Sequence, residues 1–424
     1  MADLPFVVDC GASPRHGCAV WVHDAPLSPV VSVIFSLQHV GSKQERLGEC
    51  GVADRWEALL HEGAGPHDAI AWARLCQEHR IDFFSQSTED HLSLGFRTLP
   101  SSFEQALRMA EWMLGDLRID EASLSQVSER LMVDWRQSEE DPDERALRLL
   151  QQRVLPVGHP YRHRSYEDCL ADADAIDAGV IRGYIRRVAY RTHFTAAASG
   201  AVSLPLLLEA VDRIADHWAA APPQDFLPWE TYRMGEGLRG TMAWDPYPLP
   251  HTTIAFAGPG VSRMSEDYHA HLVGYSLLGD GPEGARLWDR IRERMGSTYH
   301  ITAELAPRPH ALLSLGQTST DPAQAERMIE MIMEAYDSML SDPPTVDQVE
   351  RCKQRLLGQI ALSYGSSLSI VSLLARYQII GLSLEDLIAR TDRLRAVDHG
   401  DVVRLLPMTM RSEQLTFAVV GTPA

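Results

Sequence analysis

Phe103-Glu-Gln-Ala-Leu-Arg-Met-Ala-Glu-Trp-Met-Leu-Gly-Asp-Leu117 and Ala325-Glu-Arg-Met-Ile-Glu-Met-Ile-Met-Glu-Ala-Tyr-Asp-Ser-Met339 read as one helix written twice. In the first copy Phe103, Ala106, Leu107, Ala110, Leu114 and Leu117 recur at helical spacing and predict one apolar face. In the second copy Ala325, Met328, Ile329, Ile332, Tyr336 and Met339 repeat that face, each 222 positions on. The neighbours repeat too. An alternating strand precedes each helix, His91-Leu-Ser-Leu-Gly-Phe-Arg97 and His310-Ala-Leu-Leu-Ser-Leu-Gly316. Gln126-Val127 and Gln348-Val349 follow, and each half closes on a short apolar strand, Ala196 to Gly200 and Phe417 to Gly421. The opening strands also match, Val31 to Leu37 and Thr252 to Phe256.

The order of elements predicts an α+β fold of two similar duplicated domains. Each is a mostly antiparallel sheet covered by helices on one side. The stretch from Ala219-Ala-Ala-Pro-Pro-Gln224 through Pro228 to Gly240 reads as a linker. The expected domains are therefore 1–220 and 241–424, joined by 221–240.

Composition excludes several classes. At 424 residues, 45% hydrophobic and 23% charged, the chain is long enough for two cores and has ordinary globular make-up. No run of about 18 apolar residues is present, so no membrane span is expected. A net charge of −19 disfavours nucleic acid and anionic lipid as partners. The N-terminus shows neither a signal-peptide nor a transit-peptide pattern, which makes the cytoplasm the expected location. Six scattered cysteines without a C-x-x-C pair predict reduced structural thiols rather than a disulfide framework.

Several strings together resemble the pitrilysin/mitochondrial processing peptidase family of inverzincins, in its short-subunit branch. They are Gly51-Val-Ala-Asp-Arg-Trp-Glu-Ala58, Glu139-Glu-Asp-Pro-Asp-Glu144, Gly158-His-Pro-Tyr161 and Tyr190-Arg-Thr-His-Phe-Thr-Ala196 in the first half. In the second half they are Gly279-Asp-Gly-Pro-Glu-Gly-Ala-Arg-Leu287 and Arg292-Glu-Arg-Met-Gly-Ser-Thr-Tyr299. The family carries H-x-x-E-H on a helix, where two histidines four apart chelate zinc and the glutamate activates the metal-bound water. Carried over by position, the first histidine is Asp54, the base is Glu57 and the second histidine is Ala58. The distant third ligand is Asp134, and the acid often found seven before it is Val127. Ala58 has no donor atom, and Asp54 and Asp134 are short carboxylates that suit zinc poorly. No metal is expected in this chain.

The resemblance implies that the family's arginine and tyrosine, seven apart, survive as Arg292 and Tyr299. There the guanidinium would hold a substrate carbonyl and the phenol would donate to the oxyanion. His159 and His163 lie in a Pro-containing segment, and His269 and His271 are two apart, so neither pair suggests a metal site. The loop Gly279 to Gly284 lacks the Lys-Ser/Thr of a P-loop.

Short-subunit relatives close two chains like a clam shell, and some divide the labour between a zinc subunit and an Arg/Tyr subunit. The resemblance therefore implies a non-catalytic subunit of a heterodimeric metallopeptidase. Its partner would be a homologous zinc-bearing subunit with H-x-x-E-H, and its substrate a peptide to be processed or degraded. The alternative is a structural or peptide-binding protein of the same fold with no part in proteolysis.

Overall fold

The computed structural model describes residues 4–162, 164–220, 232–234, 240–279, 285–295, 300–309 and 311–422, apart from the side chains of residues 233 and 292–295. Most of the expected linker lies outside the described residues. The chain divides into two compact units, each discontinuous in sequence. One comprises Met1–Trp135, Arg164–Pro228 and Ala361–Ile388; the other comprises Arg136–His163, Trp229–Ile360 and Ala389–Ala424.

The first unit contains strands β1 (Asp9–Ala12), β2 (Ala19–Asp24), β3 (Val31–Gln38), β4 (Asp82–Ser87), β5 (His91–Thr98) and β6 (Phe194–Gly200). Their spatial order is β1-β2-β6-β3-β5-β4. The second unit contains β7 (Tyr232–Arg233), β8 (Met242–Pro246), β9 (Thr252–Pro259), β10 (Ile301–Arg308), β11 (Ala311–Thr320) and β12 (Thr416–Gly421). Its sheet runs β10-β11-β9-β12-β8, with β7 beside β11. Reversed, that order superimposes on β2-β6-β3-β5-β4 of the first sheet. Even the parallel pairs β2 with β6 and β8 with β12 correspond, and the other neighbours run antiparallel except β7, which pairs in parallel with β11.

The helices repeat in the same way. Before the crossover come α1 (Val52–Leu59), α2 (Ala69–His79), α3 (Phe103–Gly115), α4 (Glu121–Glu140), α5 (Pro142–Val154), α6 (Tyr166–Ala173), α7 (Ala178–Val188) and α8 (Leu204–Ala215). After it come α9 (Tyr268–Gly279), α10 (Arg286–Met295), α11 (Ala325–Ser341), α12 (Val346–Leu362), α13 (Ser367–Ile379), α14 (Leu384–Ala396) and α15 (His399–Thr409). Local chemistry starts matching helices at matching places. Asp177 caps α7 through Val180 N, and Asp398 caps α15 through Asp401 N. The repeated helices are α3 and α11, although α3 stops at Gly115 and leaves Leu117 outside it. No single helix among the described residues is long and apolar enough to cross a membrane.

Sequence reading placed helices on one side of each sheet; the second side is covered as well. On β3, Val31, Val33, Phe35 and Leu37 join the main core of the first unit with Phe103, Leu107 and Ala110 of α3. The opposite face offers Ile34 and, from β6, Ala197, against Ile370, Val371 and Leu374 of α13. In the second unit Ile254 and Phe256 of β9 meet α11, while Ala255 and Ala257 face Ala146, Leu150 and Val154 of α5. Each sequence half thus supplies one helix to the other half's sheet, which makes the units discontinuous where consecutive stretches were expected. Alternation puts small residues on that second face, and small residues let a single helix sit close.

A covalent link also departs from expectation. Cys50 and Cys169 form a disulfide between residues 119 apart in sequence. Cys10, Cys18, Cys76 and Cys352 remain as thiols. Spacing alone could not reveal the pair, because it is made by the fold.

Candidate functional site: the degenerate metal helix

Helix α1 begins at Gly51, whose φ of 79° is the left-handed conformation that glycine adopts without strain. A Cβ there would also lie 2.3 Å from Cη2 of Trp135. The first turn has no cap from its own N-cap side chain. Glu45 supplies one: its Oε1 accepts from Ala53 N at 3.0 Å and its Oε2 from Gly51 N at 3.2 Å. Trp56 anchors the helix in the core, its ring edge-on to Tyr184 of α7 with centroids 6.1 Å apart.

Arg55 is fully buried. Its Nε donates to Ser128 Oγ on α4 at 3.1 Å and its Nη1 to Gly51 O at 3.1 Å, while the guanidinium lies 5.2 Å from the Trp135 ring centre. Ser128 and Trp135 are thus two α4 side chains that tie α1 to α4.

The four transferred positions have separate fates. Asp54 is half-buried and receives a hydrogen bond from the Trp135 side chain. Burial pushes its carboxyl above the ordinary range, and neighbouring Glu57 adds to the rise. Glu57 accepts from Ser85 Oγ on β4, and that oxygen lies 2.6 Å from Nε2 of His61. Ala58 is buried in the apolar core. Asp134 is exposed, and Val127 is core.

Among the described residues no group of three His, Cys, Asp or Glu side chains could share an ion. Zinc does not fit this helix. One ligand position is a buried methyl group, another is engaged by an indole, and the would-be base is held by a serine. Sequence reading missed Trp135, Ser85 and Glu45, since none belongs to the H-x-x-E-H pattern. Trp135 follows Asp134 directly, and helical geometry turns the two about 100° apart.

Burial raises Glu45 to about 8, opposed by the Ala53 and Gly51 amides and by Arg164, and reinforced by Asp54. The folded carboxyl therefore keeps its proton to about pH 8, whereas the ordinary group releases it near 4.5. Between those values the native state binds more protons, so this group's contribution is fully present below about pH 4.5 and is lost as pH rises through about 8. Asp54 acts in the same direction. In Glu45→Gln the decline of urea-unfolding stability from pH 5 to 8 is expected to flatten. An unchanged slope would show that Glu45 ionises normally.

The Arg/Tyr pair lies outside the described residues, apart from the backbone of Arg292 in α10. The loop from Asp280 to Gly284 and His163 lie outside them too. His159 accepts from Tyr161 N at 3.1 Å and packs edge-on to Tyr161 and Tyr232. On α9, burial and then Arg263, Arg393 and Arg390 lower His269 to about 4. His271 is buried 3.5 Å from Thr409 Oγ1.

Residues 176–356 match the family model described as peptidase M16 inactive domain. The match spans less than half of the chain. It falls in the family that the residues resemble, and α1 lacks that family's pair of histidines. The chain is similar to the crystal structure of a peptidase M16 inactive domain from Pseudomonas fluorescens, with a TM-score of 0.88 at 20% identity. That match covers 99% of this chain and 98% of the other. A protease from Helicobacter pylori gives a TM-score of 0.85 at 14% identity, over 98% and 99% of the two chains. A putative M16-like peptidase from Alicyclobacillus acidocaldarius gives 0.79 at 14%, over 100% and 99%. At these identities the likeness is one of fold. No curated protein matches the chain significantly.

Proposed function

We propose that this chain is an M16-type protein and the non-catalytic subunit of a heterodimeric zinc metallopeptidase. Its role would be to bind peptide and to complete the active site of a zinc-bearing partner through Arg292 and Tyr299. The observation that carries the reading is the state of α1. Ala58 is buried without a donor atom, and Glu57 is bonded to Ser85, so water activation must come from another chain. Arg292 would hold the scissile carbonyl in its planar fork, and Tyr299 would donate its phenolic proton to the developing oxyanion.

The peptide would bind by strand addition. Strand β4 supports this: it ends its sheet and carries the serine that touches α1. Precursor processing or peptide degradation is the substrate class, and the cytoplasm the proposed place of work.

The test is reconstitution. The purified chain is expected to hold no stoichiometric zinc and to cleave no peptide. Adding a homologous subunit with intact H-x-x-E-H is expected to yield chelator-sensitive cleavage that neither chain shows alone. Metal-dependent cleavage by the lone chain would sink the proposal. A stable complex with no gain of cleavage would assign the chain a structural or peptide-binding role instead.

A further inference from the structure

The segment from Arg164 to Ala173 is tied to the start of α1 in an unusual way. Helix α6 within it has no fully buried residue, so it inserts no side chain into the core. It is eight residues long, and a helix below about 12–15 residues is marginal without tertiary support. Three attachments reach the loop that leads into α1. Arg164 Nη2 donates to Glu45 O at 3.2 Å and to Arg46 O at 3.4 Å. Asp172 Oδ2 accepts from Cys50 N at 3.0 Å. Between these polar contacts, Cys169 of α6 is bonded to Cys50, the residue just before Gly51. Downstream the chain re-enters the core at Ile176.

The two cysteines differ in exposure: Cys50 is buried, whereas Cys169 is partly exposed. A reductant can therefore reach the bond from the α6 side.

We propose that Cys50–Cys169 is a redox-sensitive strap that holds residues 164–173 across the N-terminal end of α1 when closed and releases them when opened. Opening takes a dithiol. One of its thiolates attacks Cys169 Sγ and expels Cys50 as the thiolate, and its second thiol then closes on the mixed disulfide. The protein gains two electrons and two protons, and the dithiol becomes its own disulfide. In a reducing cytoplasm such bonds are mostly transient and regulatory, which fits a strap made of polar contacts and one covalent bond. The inference does not depend on the partner reading, because its readouts need only this chain.

Hydrogen exchange followed by mass spectrometry on the full chain, oxidised and then treated with dithiothreitol, tests it. Amides of 164–174 are expected to exchange about tenfold faster or more after reduction, while β3 and α7 keep their protection. Cys169 is expected to pass from unlabelled to fully alkylated by iodoacetamide. Cys169→Ser is expected to match the reduced protein under both conditions. If the variant fails to fold, the reduced wild-type chain still gives the answer. Equal exchange of 164–174 in the two redox states would overturn the proposal, as would full alkylation of both cysteines in the oxidised protein.

Discussion

Tyr299→Phe in the proposed heterodimer is expected to lower kcat/KM by about 30- to 1000-fold, the effect of losing roughly 2–4 kcal/mol of oxyanion stabilisation. Phenylalanine keeps the ring and removes only the donor, so the loss should fall on kcat with KM little changed. Arg292→Ala is expected to lose a similar amount but to raise KM as well, because the guanidinium would grip the carbonyl before reaction. The two changes should be less than additive, since both act on one carbonyl. Zinc content of the partner serves as the control and should not change. The prediction rests on the seven-residue spacing and on the likeness of residues 176–356 to the M16 inactive domain. A double variant with undiminished cleavage would remove the chain from the chemistry.

Trp56→Ala is expected to destabilise the first unit by about 3–5 kcal/mol, the usual range for emptying a large buried aromatic site. Trp56 is 2% exposed and is the largest fully buried side chain on α1. The helix it anchors is only eight residues long and depends on such packing. Losing it should also loosen the Glu57–Ser85 contact, because α1 carries the acceptor. Asp134→Ala offers the contrast. It is exposed on α4, and its removal is expected to change stability by no more than about 0.5 kcal/mol. Thermal unfolding of both variants checks the pair. Equal, small shifts would mean that α1 is not seated as described.

The contrast between Trp56 and Asp134 also marks how far a side chain's role is legible in the sequence. Periodicity along Phe103–Leu117 and Ala325–Met339 identified the repeated helices, apart from the last turn of the first copy. There Asp116 caps α3 and sends Leu117 into a bridge with Ala64. Strand alternation at Val31–Leu37 located a core strand, because side chains on a strand face opposite ways whatever the partner. What alternation could not say is that the Ile34 and Ala197 face is also covered, by α13 from the far end of the chain. The lost zinc ligand was equally readable, since Ala58 is a matter of identity. The replacement was not: Trp135 over Gly51 and Ser85 on Glu57 join elements that the chain alone does not pair.

The order of elements, their duplication and the missing donor atom at position 58 are therefore properties of the chain as written. They depend on residue type and on spacings of two to four, which any local conformation expresses. The exchange of α5 and α13, the Cys50–Cys169 bond and the indole over the old metal helix belong to the folded molecule alone. Each joins segments far apart in sequence, 119 residues in the case of the disulfide, and such contacts exist only once packing has brought their surfaces together.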